Sequence, residues 1–362
     1  MRMSSRTSAA LVLAAAVAIA AAPAAGAAGF DRIADLTGPE RQTILEEGAK
    51  KEKEVLLFGG LNAETAARPI LRAFMAKYPF IAAKEIRTDT NAALQRILAE
   101  TRAKASTIDV VVATIVVDLK AAGLVQPFIS PALEAYPKEV RDPERNWAVI
   151  SYTYRGLVSY NSNLVPEAVV PKKADDLLDP RWKGKMVWTE SEAGGGPAFI
   201  TYLRKMRGEA KALDFIERLA RQNVVVNTAS ARTVVDLVIA GEHEIMISPA
   251  LHHIADARQK AAPTNATMED PVPANPSYFL LPKTAPHPHA ALLLADFLLE
   301  KEAQTVFRNA LYFPAHPDVD AHESMRALQP KTFGFKTFLV DDEMQIANAK
   351  VSGDLFNKYF LK

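Results

Sequence analysis

Short apolar runs of strand length alternate with amphipathic helices along most of this chain, and that rhythm admits few folds. Residues 41–54 carry Ile44, Leu45 and Ala49 on one helical face and run into a strand at 54–58 that stops at Gly59-Gly60. Asn62 then opens a helix through Ala66, Ile70, Leu71, Phe74 and Met75. A strand at 81–87, a helix at 91–104, a strand at 108–113 and a helix at 116–122 repeat the pattern. Such alternation predicts an α/β fold built on a doubly wound, mostly parallel sheet with helices on both faces.

The pattern breaks at 147–160, which has no helical period and reads as one long extended run suited to crossing between domains. Beyond it the alternation restarts, with strands at 186–189, 224–227 and 244–247 and helices at 197–207, 210–221 and 232–240. A second extended run at 278–281 leads to a strongly amphipathic helix at 290–299. Two crossings around a second α/β unit predict a discontinuous first lobe (28–150 and 280–325), a second lobe (151–279) and a helical segment (326–362) packed on both. A chain of 362 residues that is 49% hydrophobic has enough apolar material for two cores.

Residues 1–27 are not expected to join either lobe. Arg2 and Arg6 precede an uncharged stretch of 14 residues from Ala9 to Ala22, followed by Pro23 and Ala25-Gly26-Ala27. This is the three-part form of a secretory signal peptide cleaved after Ala27, and the stretch falls short of the roughly 20 residues that span a bilayer. The expected product is a soluble periplasmic monomer. The chain has no Cys, which excludes disulfides, thiolate metal sites, cysteine nucleophiles and a lipidated N-terminal anchor. Its formal charge is +1, and +1 becomes −1 when the two leader arginines are removed, so nothing in the balance calls for nucleic acid.

In open parallel sheets ligands bind beyond the carboxyl ends of the strands, where helix N-termini present free N–H groups. The loop from Thr189 to Phe199 holds Gly194-Gly195-Gly196 and then Pro197, so the amides of Gly195, Gly196 and Ala198 suit an anion, or the glycines simply let strand and helix pack closely. Ser230 and Arg232 open the helix after the strand at 224–227, and Arg232 in a cleft would grip an anionic ligand with two bonds. Asn62, Thr90 and Thr114 occupy the matching loops of the first lobe, where plain helix capping is the competing role. Arg155, in the first crossing run, and Trp188, in a strand, complete the expected ligand set. His252-His253 with Asp256 offers a metal or solute contact, but neighbours on a helix diverge by about 100°, which argues against one shared ion. The sequence from His316 to Glu323 reads as a solvated loop, and His287 and His289 read as a connector. No Gly-x-Ser-x-Gly, His-Glu-x-x-His or Gly-x-Gly-x-x-Gly occurs, so catalysis has no motif behind it.

Three segments carry a family resemblance: Asp176-Leu-Leu-Asp-Pro-Arg-Trp-Lys-Gly-Lys185, the run from Arg155 to Tyr160-Asn161, and Leu298-Leu-Glu-Lys-Glu-Ala-Gln304. They resemble type II periplasmic solute-binding proteins of ABC importers, nearest to the ferric-iron-binding branch. The resemblance implies two α/β lobes joined by crossing strands, a solute in the cleft and delivery to an inner-membrane permease. It also implies an anion pocket at a Ser-Gly-Ala-Phe-like helix start, where this chain has Gly196-Pro197-Ala198-Phe199. The branch's adjacent tyrosine ligands fall on Leu251-His252, so no metal site of that kind and no cofactor is expected. The resulting expectation is a small organic anion held by helix N-termini and Arg232, with His252 donating a hydrogen bond and Trp188 lining the wall. The alternatives are ferric iron or an iron chelate and, in another class, a periplasmic enzyme using Glu190 or Glu192 with His252.

Overall fold

A computed structural model describes residues 27–361 apart from 89, 114, 139, 140 and 191–194, and the expected signal peptide up to residue 26 lies outside the described residues. The strand Glu54–Gly59 lies between Ala82–Arg87 and Val110–Val112 in a parallel three-stranded sheet. Helices Arg41–Glu52, Arg68–Lys77 and Pro288–Leu299 bury Leu45, Ile70, Phe74 and Phe297 in one core with Val55 and Val111 of the sheet. Helix Pro288–Leu299, expected to be amphipathic, is instead buried on every side from Ala290 to Leu299, and the one charged residue of that stretch, Asp296, is paired with buried Arg41.

His287 and His289, expected in a connector, instead fix the start of that helix. Nδ1 of His287 lies 3.0 Å from buried Asp109, and Nδ1 of His289 lies 2.6 Å from Glu52. Burial alone would lower the His287 pKa, but the hydrogen bond and charge of Asp109 outweigh it and raise it.

The long run at 147–160 is two strands, Ala148–Tyr154 and Val158–Asn161, in different sheets. The first belongs to a four-stranded hinge sheet ordered Phe313–Pro314, Ala148–Tyr154, Val272–Phe279, Thr337–Leu339. The return strand therefore starts at Val272, six residues before the expected 278, with Pro273 and Pro276 inside it. Prolines that remove ladder donors disguise this strand in the sequence.

The second sheet is ordered Thr264–Thr267, Val158–Asn161, Ile245–Ile247, Met186–Thr189, Val225–Asn227. Its last two pairings are parallel and its first two antiparallel, so this lobe is mixed rather than mostly parallel. Val158–Asn161 enters directly from the hinge, without the crossover helix that a parallel neighbour needs.

One face of this sheet packs on helices Gly196–Arg207 and Glu209–Ala220 and on the C-terminal helix Asp342–Phe360, through Ile200, Phe215 and Phe356. The other face buries Val234, Ile254, Phe313, Met325 and Leu328 together. Phe313, Ala321, Met325 and Leu328 thus pack with the second lobe and the hinge, whereas Ala315 and His316 between them stay on the first lobe, with which the sequence grouped all of 280–325. The cause is the pairing of Phe313 with Tyr152, which carries the chain onto the hinge sheet. No helix among the described residues is long and apolar enough to cross a membrane.

Candidate functional site

Between the lobes lies a cavity of about 780 Å³. Gly60, Asn62 and Arg87 enter it from the carboxyl ends of the first lobe's strands, where open parallel sheets hold their ligands. Gly59 makes that edge possible: its φ is 143°, and a Cβ there would overlap the carbonyl of Val112. Tyr152 and Thr153 of the hinge form the back. From the second lobe come Arg232 on helix Ala231–Ala240 and His252, His253 and Asp256 on helix Leu251–Gln259. Tyr312 and His322 complete the wall.

The two histidine rings meet edge to face with centroids 4.2 Å apart, so the divergence expected of helix neighbours is overcome by side-chain rotation in the first helical turn. Burial, reinforced by His253 and Arg155, holds His252 down at about 3. Burial, with the charges of Arg155 and Arg232, holds His253 at about 4. Both imidazoles are therefore neutral across the ordinary pH range and offer a nitrogen lone pair. Among the described residues, no group of three or more His, Cys, Asp or Glu is placed to hold a metal ion.

Arg232 lines the cleft, but its donors are taken. It pairs with Asp236 at 3.0 and 3.3 Å, with Asp256 at 2.7 Å and with the His253 carbonyl at 3.1 Å. These bonds leave a single N–H for the anion it was expected to grip, so a guanidinium bound twice to one carboxylate and once to another has little left to give. Lys260 is likewise paired with Asp256 at 3.0 Å.

Of the other expected residues, Asn62 both lines the cleft and caps residues 63–67, accepting from the amides of Glu64 and Thr65. Ser230 is a helix cap, accepting from the Thr233 amide, and does not line the cavity. Trp188, expected on the wall, is fully buried against Phe199, Phe356 and Phe360, because its strand is covered on both faces and neither faces the cleft. Gly195 and Gly196 do not line it either: a Cβ would overlap the Thr189 backbone at Gly195 and the Phe356 ring at Gly196, which is close packing. Arg155 and Ala198 line a separate cavity of about 30 Å³ with Ser248 and Asn275, and burial lowers the Arg155 pKa to about 10. Thr114 and the Thr90 side chain lie outside the described residues.

Arg87, Tyr152 and Tyr312 were not singled out in the sequence as cleft residues. Arg87 ends a strand three residues before Thr90, which the sequence had singled out, so its position was the available signal. His322 was placed in a solvated loop but faces the cleft, and His316 of the same segment is buried with its ring edge-on to Tyr136.

Two α/β lobes, a hinge of crossing strands and a solute-sized cleft at strand ends define a type II periplasmic-binding-protein fold. The chain belongs to the bacterial extracellular solute-binding proteins, whose family model matches residues 106–338. It is 26% identical over 222 residues to iron uptake protein A1 of Synechocystis, a match covering 56% of this chain and 59% of that protein. The chain thus spans somewhat more than half the length of the curated relatives it matches. A Trichodesmium protein solved with iron and citrate ligands superposes with a TM-score of 0.73 at 19% identity, covering 85% of this chain and 100% of that one. The Bordetella ferric binding protein superposes at 0.71 with 20% identity, covering 84% and 98%. At these identities the likeness speaks for the fold.

Proposed function

We propose that this protein is the periplasmic capture subunit of an ABC importer and that its solute is ferric iron carried by a small organic acid. The observation that carries this reading is the cleft itself: about 780 Å³ of space faced by two neutral imidazoles and two tyrosines. Such a space suits a chelate better than a bare ion, and the segment Leu251-His252 offers no adjacent phenolates for a bare ferric ion. The likeness to iron-uptake and ferric-binding proteins supports iron over the iron-free organic anion expected from sequence. An enzymatic reading lacks support: Glu190 is exposed and does not line the cleft, and Glu192 lies outside the described residues.

The test is a thermal-shift and calorimetric titration with ferric citrate, citrate alone and ferric nitrilotriacetate. Ferric citrate at 100 times its dissociation constant is expected to stabilise the protein by about 2.7 kcal/mol. Equal stabilisation by citrate alone would return the assignment to an organic anion, and silence from both iron complexes would overturn the iron reading.

A further inference from the structure

Three cationic side chains line the cleft: Arg87, Arg232 and Lys260. Arg232 is bound to Asp236 and Asp256, and Lys260 to Asp256. The Arg87 backbone pairs with Gly59 in the sheet, but its guanidinium has no hydrogen bond or salt bridge to another described residue. It stands at the end of Ala82–Arg87, across the cleft from His252 and His253, close enough for its charge to lower the Tyr312 hydroxyl's pKa against the raising effect of burial. An exposed cation usually needs no explanation. One inside a ligand cleft, where every neighbouring cation is already neutralised, is the group left to meet an anion.

We propose that Arg87 is the carboxylate-gripping residue of this protein. Its guanidinium takes one carboxylate of the solute through two parallel N–H bonds, while His252 and His253 face the solute from the opposite lobe. The assignment rests on the reading of the solute as a carboxylate chelate and adds what selects it. Ferric complexes that keep a peripheral carboxylate are preferred over neutral ones of the hydroxamate type, which give Arg87 nothing to hold.

Calorimetry on the full chain tests this with ferric citrate, citrate alone and ferric acetohydroxamate against wild type, Arg87→Gln and Arg87→Lys. A charge-assisted pair of this kind predicts that Arg87→Gln weakens ferric citrate by about tenfold to a hundredfold. Arg87→Lys restores part of the loss, since a point charge replaces the fork, and ferric acetohydroxamate binds wild type and Arg87→Gln equally. The melting temperature of the unliganded Arg87→Gln protein should match wild type, which separates a lost contact from a lost fold. Equal ferric citrate affinity in wild type and Arg87→Gln overturns the assignment. If citrate alone binds in an Arg87-dependent way and no iron complex binds better, the iron reading fails while the carboxylate subsite stands. No binding of any of the three overturns both.

Discussion

Gly196 shows how a residue that looks like ligand chemistry can be packing instead. An alanine there would drive its Cβ into the Phe356 ring, and Trp188 leaves no room on the other side. Overpacking of this kind costs about 1–3 kcal/mol. Gly196→Ala is therefore expected to lower the melting temperature while leaving ferric citrate affinity as in wild type; a selective loss of affinity would put the helix start back in the site. The histidine pair supports a second prediction, for pH. The folded pKa values of about 3 and about 4 lie below the ordinary 6.5, so below pH 6.5 the unfolded chain binds protons that the folded chain refuses. Their contribution is intact above pH 6.5 and falls as pH drops toward 4, by at most about 1.4 kcal/mol per pH unit for each group. Thermal melts from pH 7.5 to 4.5 should show a shallower acid decline in His252→Gln/His253→Gln than in wild type, and parallel declines would contradict the buried, neutral assignment.

Elements with a clear period were legible in the sequence, and elements whose role depends on distant partners were not. The strand Met186–Thr189 was read to the residue, because three apolar residues and a β-branched threonine between polar turns fit little else. Its place in the sheet was hidden: a strand covered on both faces has no wet side, so Trp188 looked as able to line a cleft as to fill a core. The partner Asp236 stands four residues from Arg232 on one helix and was readable, whereas Asp256 comes from another helix and was not. The C-terminal helix was expected on both lobes, and its body lies on the second. Ser352 bonds Thr201 at 2.8 Å, the Tyr359 hydroxyl donates to Glu217 at 2.7 Å, and Phe356 fills the space beside Trp188. Truncating that buried ring removes both its transfer energy and its packing. Phe356→Ala should cost about 3–5 kcal/mol in denaturant unfolding. A loss within about 0.5 kcal/mol would mean that the helix is an appendage to the lobe rather than part of its core.

At the scale of the whole molecule, the groups that face a solute are divided between two lobes joined by the hinge sheet. Arg87 and Asn62 belong to the first lobe, His252 and His253 to the second. The crossing strands Ala148–Tyr154 and Val272–Phe279 offer two places to bend: the break at residues 155–157 and the register shift between Ser277 and Tyr278. A solute can favour closure only through contacts that the closed form makes and the open form does not. A chelate that reaches Arg87 with its carboxylate and the imidazoles with its other end makes such contacts, because each wall alone supplies only half of them. Small-angle scattering is then expected to show a smaller radius of gyration for wild type saturated with ferric citrate than for the free protein. Arg87→Gln, saturated at higher ligand concentration, should keep the second-lobe contacts and lose most of that compaction. If the variant closes as fully as wild type, the coupling between lobes runs through the histidine wall alone and not across the cleft.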